Sequence, residues 1–122
     1  MIASLMLRAS VVFFIVSMLG GIVMGMKQSF TLAPAHAHFN LVGGVLLFLF
    51  ALYYRLVPAA ASSRLASIQA WLHIGGAVIF PAGIITVLTL GPRWEIVPVA
   101  GALIVLAATV LFAIIVWRHE AR

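Results

Sequence analysis

Residues 96–117 read IVPVAGALIVLAATVLFAIIVW, an apolar run without a single charged side chain. About 20 apolar residues in helical conformation cross a hydrocarbon core about 30 Å thick. This run is therefore long enough to span a membrane as one α-helix. Three similar runs precede it, at residues 5–26, 35–57 and 68–90. Because short polar segments separate the runs, the sequence predicts an integral membrane protein with four transmembrane helices.

The composition of the whole chain agrees with this fold. Hydrophobic residues make up 66% and charged residues only 7%, whereas a soluble domain carries about 25% charged residues. Short connections leave no room for a soluble domain and favour antiparallel neighbours. We expect an all-α, up-down-up-down bundle that forms a single domain over residues 1–122. The third helix is expected to begin before its apolar run, which gives helices at residues 5–26, 35–57, 60–90 and 96–117.

The net charge of +5 is explained by the ends of the helices. Lys and Arg at these positions orient a membrane protein, and their excess marks the cytoplasmic side. The side of the N-terminus carries Arg8, Arg55, Arg64, Arg118 and Arg122, and the other side carries Lys27 and Arg93. We therefore expect both termini in the cytoplasm, and the chain in the bacterial inner (plasma) membrane. Since topology accounts for the charge, no nucleic-acid partner is expected.

Histidine is the informative residue type, because an ionisable side chain inside a membrane is costly and points to function. His36 and His38 lie near the outer end of the second helix, and His73 lies in the third. The chain has no cysteine, and no Asp or Glu lies in the first three helices. Sites built on thiolates or carboxylates therefore lack ligands. Neutral imidazole is a common axial ligand of heme iron, so a membrane heme is the favoured interpretation.

His36 and His38 are two residues apart, so they point to roughly opposite sides of the helix and do not easily share one iron. Two alternatives to heme stay open, a copper site and a purely structural role. Met24 and Met26 end the first helix on the same side of the membrane, and thioether with imidazole is a ligand set that favours copper. A purely structural or assembly protein, in which the histidines are only hydrogen bonded, is the other alternative.

The segment at residues 35–43, AHAHFNLVG, followed by YYRLVP at residues 53–58, resembles the second helix of heme-copper oxidase subunit I. The likeness is greatest to the nitric oxide reductase branch. It implies that His38 is an axial ligand of a low-spin heme b. The segment WLHIG at residues 71–75 is similar to small stand-alone proteins of this superfamily, which makes His73 the candidate for the opposite ligand.

The resemblance implies a cofactor but not the parent activity. A complete catalytic subunit has many more helices and further histidines around a second metal, so a complete oxidase or nitric oxide reductase is not expected. The prediction is a minimal b-type cytochrome for electron transfer or for sensing redox state or a diatomic gas. We expect a homo-oligomer, because so thin a bundle leaves a cofactor exposed to lipid. Arg55, Arg93 and Lys27 are candidate partners of the heme propionates.

The pairing of His38 with His73 depends on where the chain turns between the second and third helices. If the turn centres on Pro58, the two histidines differ in depth by about four residues, or about 6 Å. If it centres near Ser63, the difference is about 20 Å. Glycine pairs at residues 20–21, 43–44 and 75–76 leave room for close helix packing or for a flat ligand.

Overall fold

The structure, a computed structural model, describes residues 1–120. It contains four long helices, which we number α1 (Ile2–Lys27), α2 (Ala33–Leu56), α3 (Arg64–Leu90) and α4 (Ile96–Glu120). All four, the last together with a 3-10 turn at Pro92–Trp94, are long and apolar enough to cross a membrane. The predicted all-α membrane fold is confirmed. Arg122, which entered the prediction of topology, lies outside the described residues.

The helices follow one another up and down across the bundle. Neighbours in sequence pack together, and the most extensive contact is between α3 and α4. Met1 and Arg55 line one cavity, and the Tyr53 hydroxyl lies 3.3 Å from Oε1 of Glu120. The start of α1, the end of α2 and the end of α4 therefore share one side of the bundle. We call it the terminal side, and we call the opposite side, with residues 28–32 and 91–95, the loop side.

The ends of the helices follow from local chemistry. Gln28 adopts a left-handed conformation after α1, and its N–H bonds the carbonyls of Gly25 and Met24. Gly91 follows α3 with a φ of 102°, which glycine adopts without a steric penalty. At the other end of α3, the Ser63 hydroxyl accepts a hydrogen bond from the Ala66 N–H at 3.1 Å.

That N-terminal cap starts α3 at Arg64, four residues later than the sequence suggested. One separate helical turn, Pro58–Ala61, lies between α2 and α3. The connection thus centres near Ala60, between the two positions considered from sequence. The depth difference between residues on α2 and α3 is set by this turn.

Glycines bring α3 and α4 together at two points. A Cβ atom on Gly101 would lie 2.5 Å from the Cα of Phe80, and one on Gly83 would meet the backbone of Pro98. Backbone atoms cannot move aside as a flexible side chain can, so larger residues at either glycine would separate the helices. This is the packing role that small residues have in membrane bundles.

The glycine pair in α2 packs against side chains of α1. A Cβ atom on Gly43 would lie 2.5 Å from the ring of Phe13, and one on Gly44 would lie 2.6 Å from the ring of Phe14. Both glycines are buried. The gap at this pair is therefore filled by two phenylalanine rings, which leaves no room there for a flat ligand.

The middle of α2 departs from α-helical geometry. Residues Phe39–Leu46 form a π-helix between the α-helical parts Ala33–His38 and Leu47–Leu56. Such segments are rare, and they are found disproportionately at functional sites because they change which backbone groups are bonded within the helix. This one begins directly after His38 and contains Val42, whose carbonyl is used by a side chain of α3.

Candidate functional site: three membrane histidines

His38 is the last residue before the π-helix, and its ring is only partly buried. Its Nδ1 lies 2.7 Å from the carbonyl oxygen of Pro34, one turn earlier in α2. Since a carbonyl can only accept, Nδ1 carries the proton and Nε2 carries the lone pair. Nε2 makes no hydrogen bond to residues 1–120. Imidazole ligands of metals commonly have this arrangement, in which a backbone carbonyl fixes the ring and its tautomer.

The other contact of His38 is with α3. The centroid of its ring lies 4.7 Å from that of Phe80, with the two planes at 64°. This edge-to-face contact and the bond to Pro34 hold the imidazole on the side of α2 that faces α3. His38 is thus positioned without using its second nitrogen.

His73 is bound quite differently. Its side chain is 0% exposed, its Nε2 lies 2.9 Å from the carbonyl oxygen of Val42, and its ring stands edge-on to Phe50 at 5.0 Å. The proton is therefore on Nε2, and Nδ1 has the lone pair. Nδ1 has no hydrogen-bond partner among the described residues. His73 links α3 to the π-helix of α2, which is a structural contact.

The two rings lie at different depths. His38 is level with Phe80, which is almost two helical turns beyond His73 on α3, or about 10 Å at 1.5 Å per residue. The connection centred near Ala60 produces this offset. The structure does not bring the predicted pair to one depth, and the Nε2 of His73 is already bonded.

His36 points toward α1, away from His38, as helical periodicity predicts. Its Nδ1 lies 3.3 Å from the Ser17 hydroxyl oxygen. A Cβ atom on Gly21 would lie 3.0 Å from the Cε1 of His36, so this glycine lets the ring approach the α1 backbone. Together with Ser17 and Met24, His36 lines a cavity of about 270 Å³ between α1, α2 and α3.

The predicted copper ligands do not meet. Met24 and His36 line the same cavity, but the Met26 side chain is 81% exposed and His38 faces Phe80. Within residues 1–120, no three His, Asp or Glu side chains are grouped so that they could hold a metal ion. Of the four candidate copper ligands, Met24, Met26, His36 and His38, only Met24 and His36 line this cavity.

The two candidate arginines lie on opposite sides of the bundle. Arg55 is exposed on the terminal side, where it lines a cavity of about 720 Å³. It follows His38 by more than four helical turns, or about 25 Å along α2. Arg93 is exposed on the loop side, with its guanidinium carbon 5.9 Å from the ring of Trp94. Arg93 and Lys27 are therefore at the same end of the bundle as His38, and Arg55 is not.

Sequence reasoning missed a buried polar pair. Gln69 is 0% exposed, and its Oε1 accepts a hydrogen bond from the Tyr54 hydroxyl at 3.1 Å. Gln69 lies one turn before His73 on the same face of α3. Its Nε2 has no partner within residues 1–120. A glutamine at the start of the apolar run at residues 68–90 was the available signal in the sequence, but only the structure shows that its side chain is buried.

These features define the class of the protein: a four-helix integral membrane protein with two partly exposed imidazoles on α2 and one fully buried imidazole on α3. Comparison with known proteins adds no family to that description. No family model, no curated protein and no solved structure matches the chain.

Proposed function

We propose that this chain is a membrane heme b-binding protein in which His38 is an axial ligand of the iron. The observation that carries the proposal is the state of the His38 ring. Its Nδ1 donates a hydrogen bond to the Pro34 carbonyl oxygen, with 2.7 Å between the two atoms. Its Nε2, which has the lone pair, makes no hydrogen bond within the described residues. The resemblance of residues 35–43 to the heme-ligating helix of heme-copper oxidases supports the same residue.

The surroundings of His38 suit a neutral ligand for a flat apolar group. No carboxylate lies within α1, α2 or α3, so the ring has no acidic neighbour there to protonate it or to compete for the iron. A bound heme would supply a one-electron couple at its iron, for electron transfer or for sensing redox state or a diatomic gas. Arg93 and Lys27, on the loop side, are the basic residues placed to pair with its propionates.

His73 is poorly placed as the opposite ligand. To bind the same iron its ring would have to bridge an offset of about 10 Å and expose a nitrogen that is now buried, since Nε2 bonds the Val42 carbonyl and Nδ1 is enclosed in the bundle. A second copy of the chain is the simpler source of a ligand, because His38 is partly exposed at the surface of a thin bundle. The proposal therefore includes a homo-oligomer that covers the heme.

The placement of the chain is also part of the proposal. An excess of Lys and Arg on the terminal side supports a bacterial inner (plasma) membrane location with both termini in the cytoplasm. Reporter fusions that are active only in the cytoplasm or only outside it test this orientation. A fusion to the C-terminus that is active only outside would reverse it.

The decisive experiment is a reduced-minus-oxidised visible spectrum of the detergent-purified protein from heme-replete cells, with heme and iron quantified on the same sample. We expect b-type bands in the unaltered chain and loss of the heme in His38→Ala. A good control is His119→Ala, because the Nδ1 of His119 also bonds a carbonyl one turn earlier, Ile115 at 2.8 Å, but at the end of α4. His119→Ala should keep the heme.

Three results would decide against the proposal. A colourless protein would favour a structural or assembly role, and copper in place of iron would favour a copper site. A His38→Ala variant with a full b-type spectrum would reject the ligand assignment. The variant His73→Gln tests the pairing: an unchanged spectrum agrees with the bond to Val42, whereas a change from low-spin to high-spin bands would show that His73 is the second ligand.

A further inference from the structure

The cavity beside His36 is lined almost entirely by apolar residues, which limits the kinds of molecule it can bind. It measures about 270 Å³ and is lined by side chains of α1, α2 and α3. Small residues at Gly20, Ala35 and Ala82 leave this space, and Pro81 lies in the wall that α3 provides. Apart from Ser17 and His36, no lining residue has a side-chain oxygen or nitrogen. Such walls do not hold an ion or a cluster of waters well.

The cavity is open to the bilayer. Val16 and Val78, on two different helices of its lining, are each 49% exposed, and Ile85 is 40% exposed. These side chains lie within membrane-spanning helices, so their exposed surface faces lipid. A molecule can therefore enter from the side, and an apolar tail longer than the cavity can remain in the bilayer.

One polar group in this apolar space lacks a complete set of partners. The Nδ1 of His36 pairs with the Ser17 hydroxyl at 3.3 Å, but its Nε2 makes no hydrogen bond within residues 1–120. In lipid, an unsatisfied polar group costs free energy that water would otherwise recover. A purely apolar occupant such as an acyl chain would leave that cost in place. A carbonyl oxygen would accept from Nε2 in the tautomer in which the Ser17 hydroxyl donates to Nδ1, and a hydroxyl would donate to Nε2 in the tautomer in which that hydroxyl bonds the His36 carbonyl instead.

The volume of the cavity and the aromatic residue in its wall favour a ligand that carries a single small ring. A volume of about 270 Å³ lies just below the range of about 300 to 1,000 Å³ for sites that enclose drug-sized ligands. Phe39 is among the lining residues, and an aromatic side chain in the wall suits a flat ring. We propose that this cavity binds the head group of a membrane-soluble quinone or quinol, with His36 hydrogen bonded to one ring oxygen. The site does not depend on heme at His38.

Gly20 provides a sharp test of the cavity itself. A Cβ atom on Gly20 would meet nothing within 4 Å, so a larger side chain can be placed there without a clash at its base. Because Gly20 lines the cavity, we expect that side chain to occupy part of it. Gly25 has equally open surroundings on the same helix but does not line the cavity. The variants Gly20→Leu and Gly25→Leu are therefore matched in chemistry and differ in whether the cavity is filled.

The experiment measures binding of decylubiquinone, a short-tail quinone, to the full chain in lipid nanodiscs by calorimetry. We expect saturable binding that weakens at least ten-fold in Gly20→Leu and in His36→Leu and is unchanged in Gly25→Leu. Circular dichroism of each variant verifies folding. Equal affinity in Gly20→Leu, or no saturable binding to the unaltered chain, would overturn the proposal. So would equally effective competition by n-decane, which has the tail without the ring or an oxygen and would identify an acyl-chain site.

Discussion

His38 and His73 are the same type of side chain on neighbouring membrane helices, and the bundle uses them in opposite ways. His38 is partly exposed, holds its ring with Nδ1 and leaves Nε2 free. His73 is 0% exposed and commits Nε2 to the Val42 carbonyl of a neighbouring helix. One ring is anchored to its own helix and available to a ligand. The other joins two helices and is enclosed by them.

The difference teaches that an ionisable residue in a membrane is not by itself a site. At His73 one ring nitrogen bonds a carbonyl within the bundle, which fixes α3 against the π-helix of α2, and the other nitrogen is enclosed without a partner among the described residues. At His38 the unbonded nitrogen belongs to a partly exposed ring, so a partner from outside the bundle can reach it. Which nitrogen is bonded, and to which helix, separates the two roles.

The largest expected effect follows from removing His73. His73→Ala deletes a fully buried ring and frees the Val42 carbonyl, so it should lower the free energy of unfolding by about 2–4 kcal/mol. Titration with SDS in mixed micelles, followed by circular dichroism, measures this. His38→Ala, examined without heme, is the control and should cost less than about 1 kcal/mol. Equal losses in the two variants would mean that the two histidines contribute alike to the stability of the bundle.

A smaller effect is expected at the buried pair next to His73. Double-mutant cycles in a membrane protein give hydrogen bonds an average coupling of about 0.6 kcal/mol. Tyr54→Phe and Gln69→Leu, alone and combined, should show a coupling of about this size in the same SDS titration. Strict additivity of the two losses would mean that the 3.1 Å bond contributes nothing to stability.

The smallest effect on the free energy of unfolding is expected at Tyr53, the residue before Tyr54. The Tyr53 hydroxyl bonds Glu120 at 3.3 Å near the end of α4, where the contact is exposed. Tyr53→Phe should therefore change the free energy of unfolding by less than about 0.5 kcal/mol. Tyr54→Phe is the matched variant, because it removes the same atom from a side chain that is only 1% exposed. A larger loss at Tyr53 than at Tyr54 would show that burial does not rank these polar contacts.

The arrangement of helices was predictable because it depends on quantities that add along the chain. Four runs of about 20 apolar residues satisfy the thickness of a bilayer whatever their partners are, and short connections force antiparallel neighbours. The opposite directions of His36 and His38 follow from helical periodicity alone. The relative depth of His38 and His73 in the bundle was not predictable, because the Ser63 cap and the separate turn at Pro58–Ala61 place the start of α3 later than the sequence suggested.

The sequence by itself therefore determined the class of the protein, its four spans and the residues on which a cofactor proposal rests. Only the tertiary structure decided that His73 bonds the Val42 carbonyl, that Gln69 is buried, and that Ser17 and His36 border an apolar cavity. The physical reason is that hydrophobic length and helical period are local properties. The choice of a hydrogen-bond partner depends on which atoms of another helix come within about 3 Å.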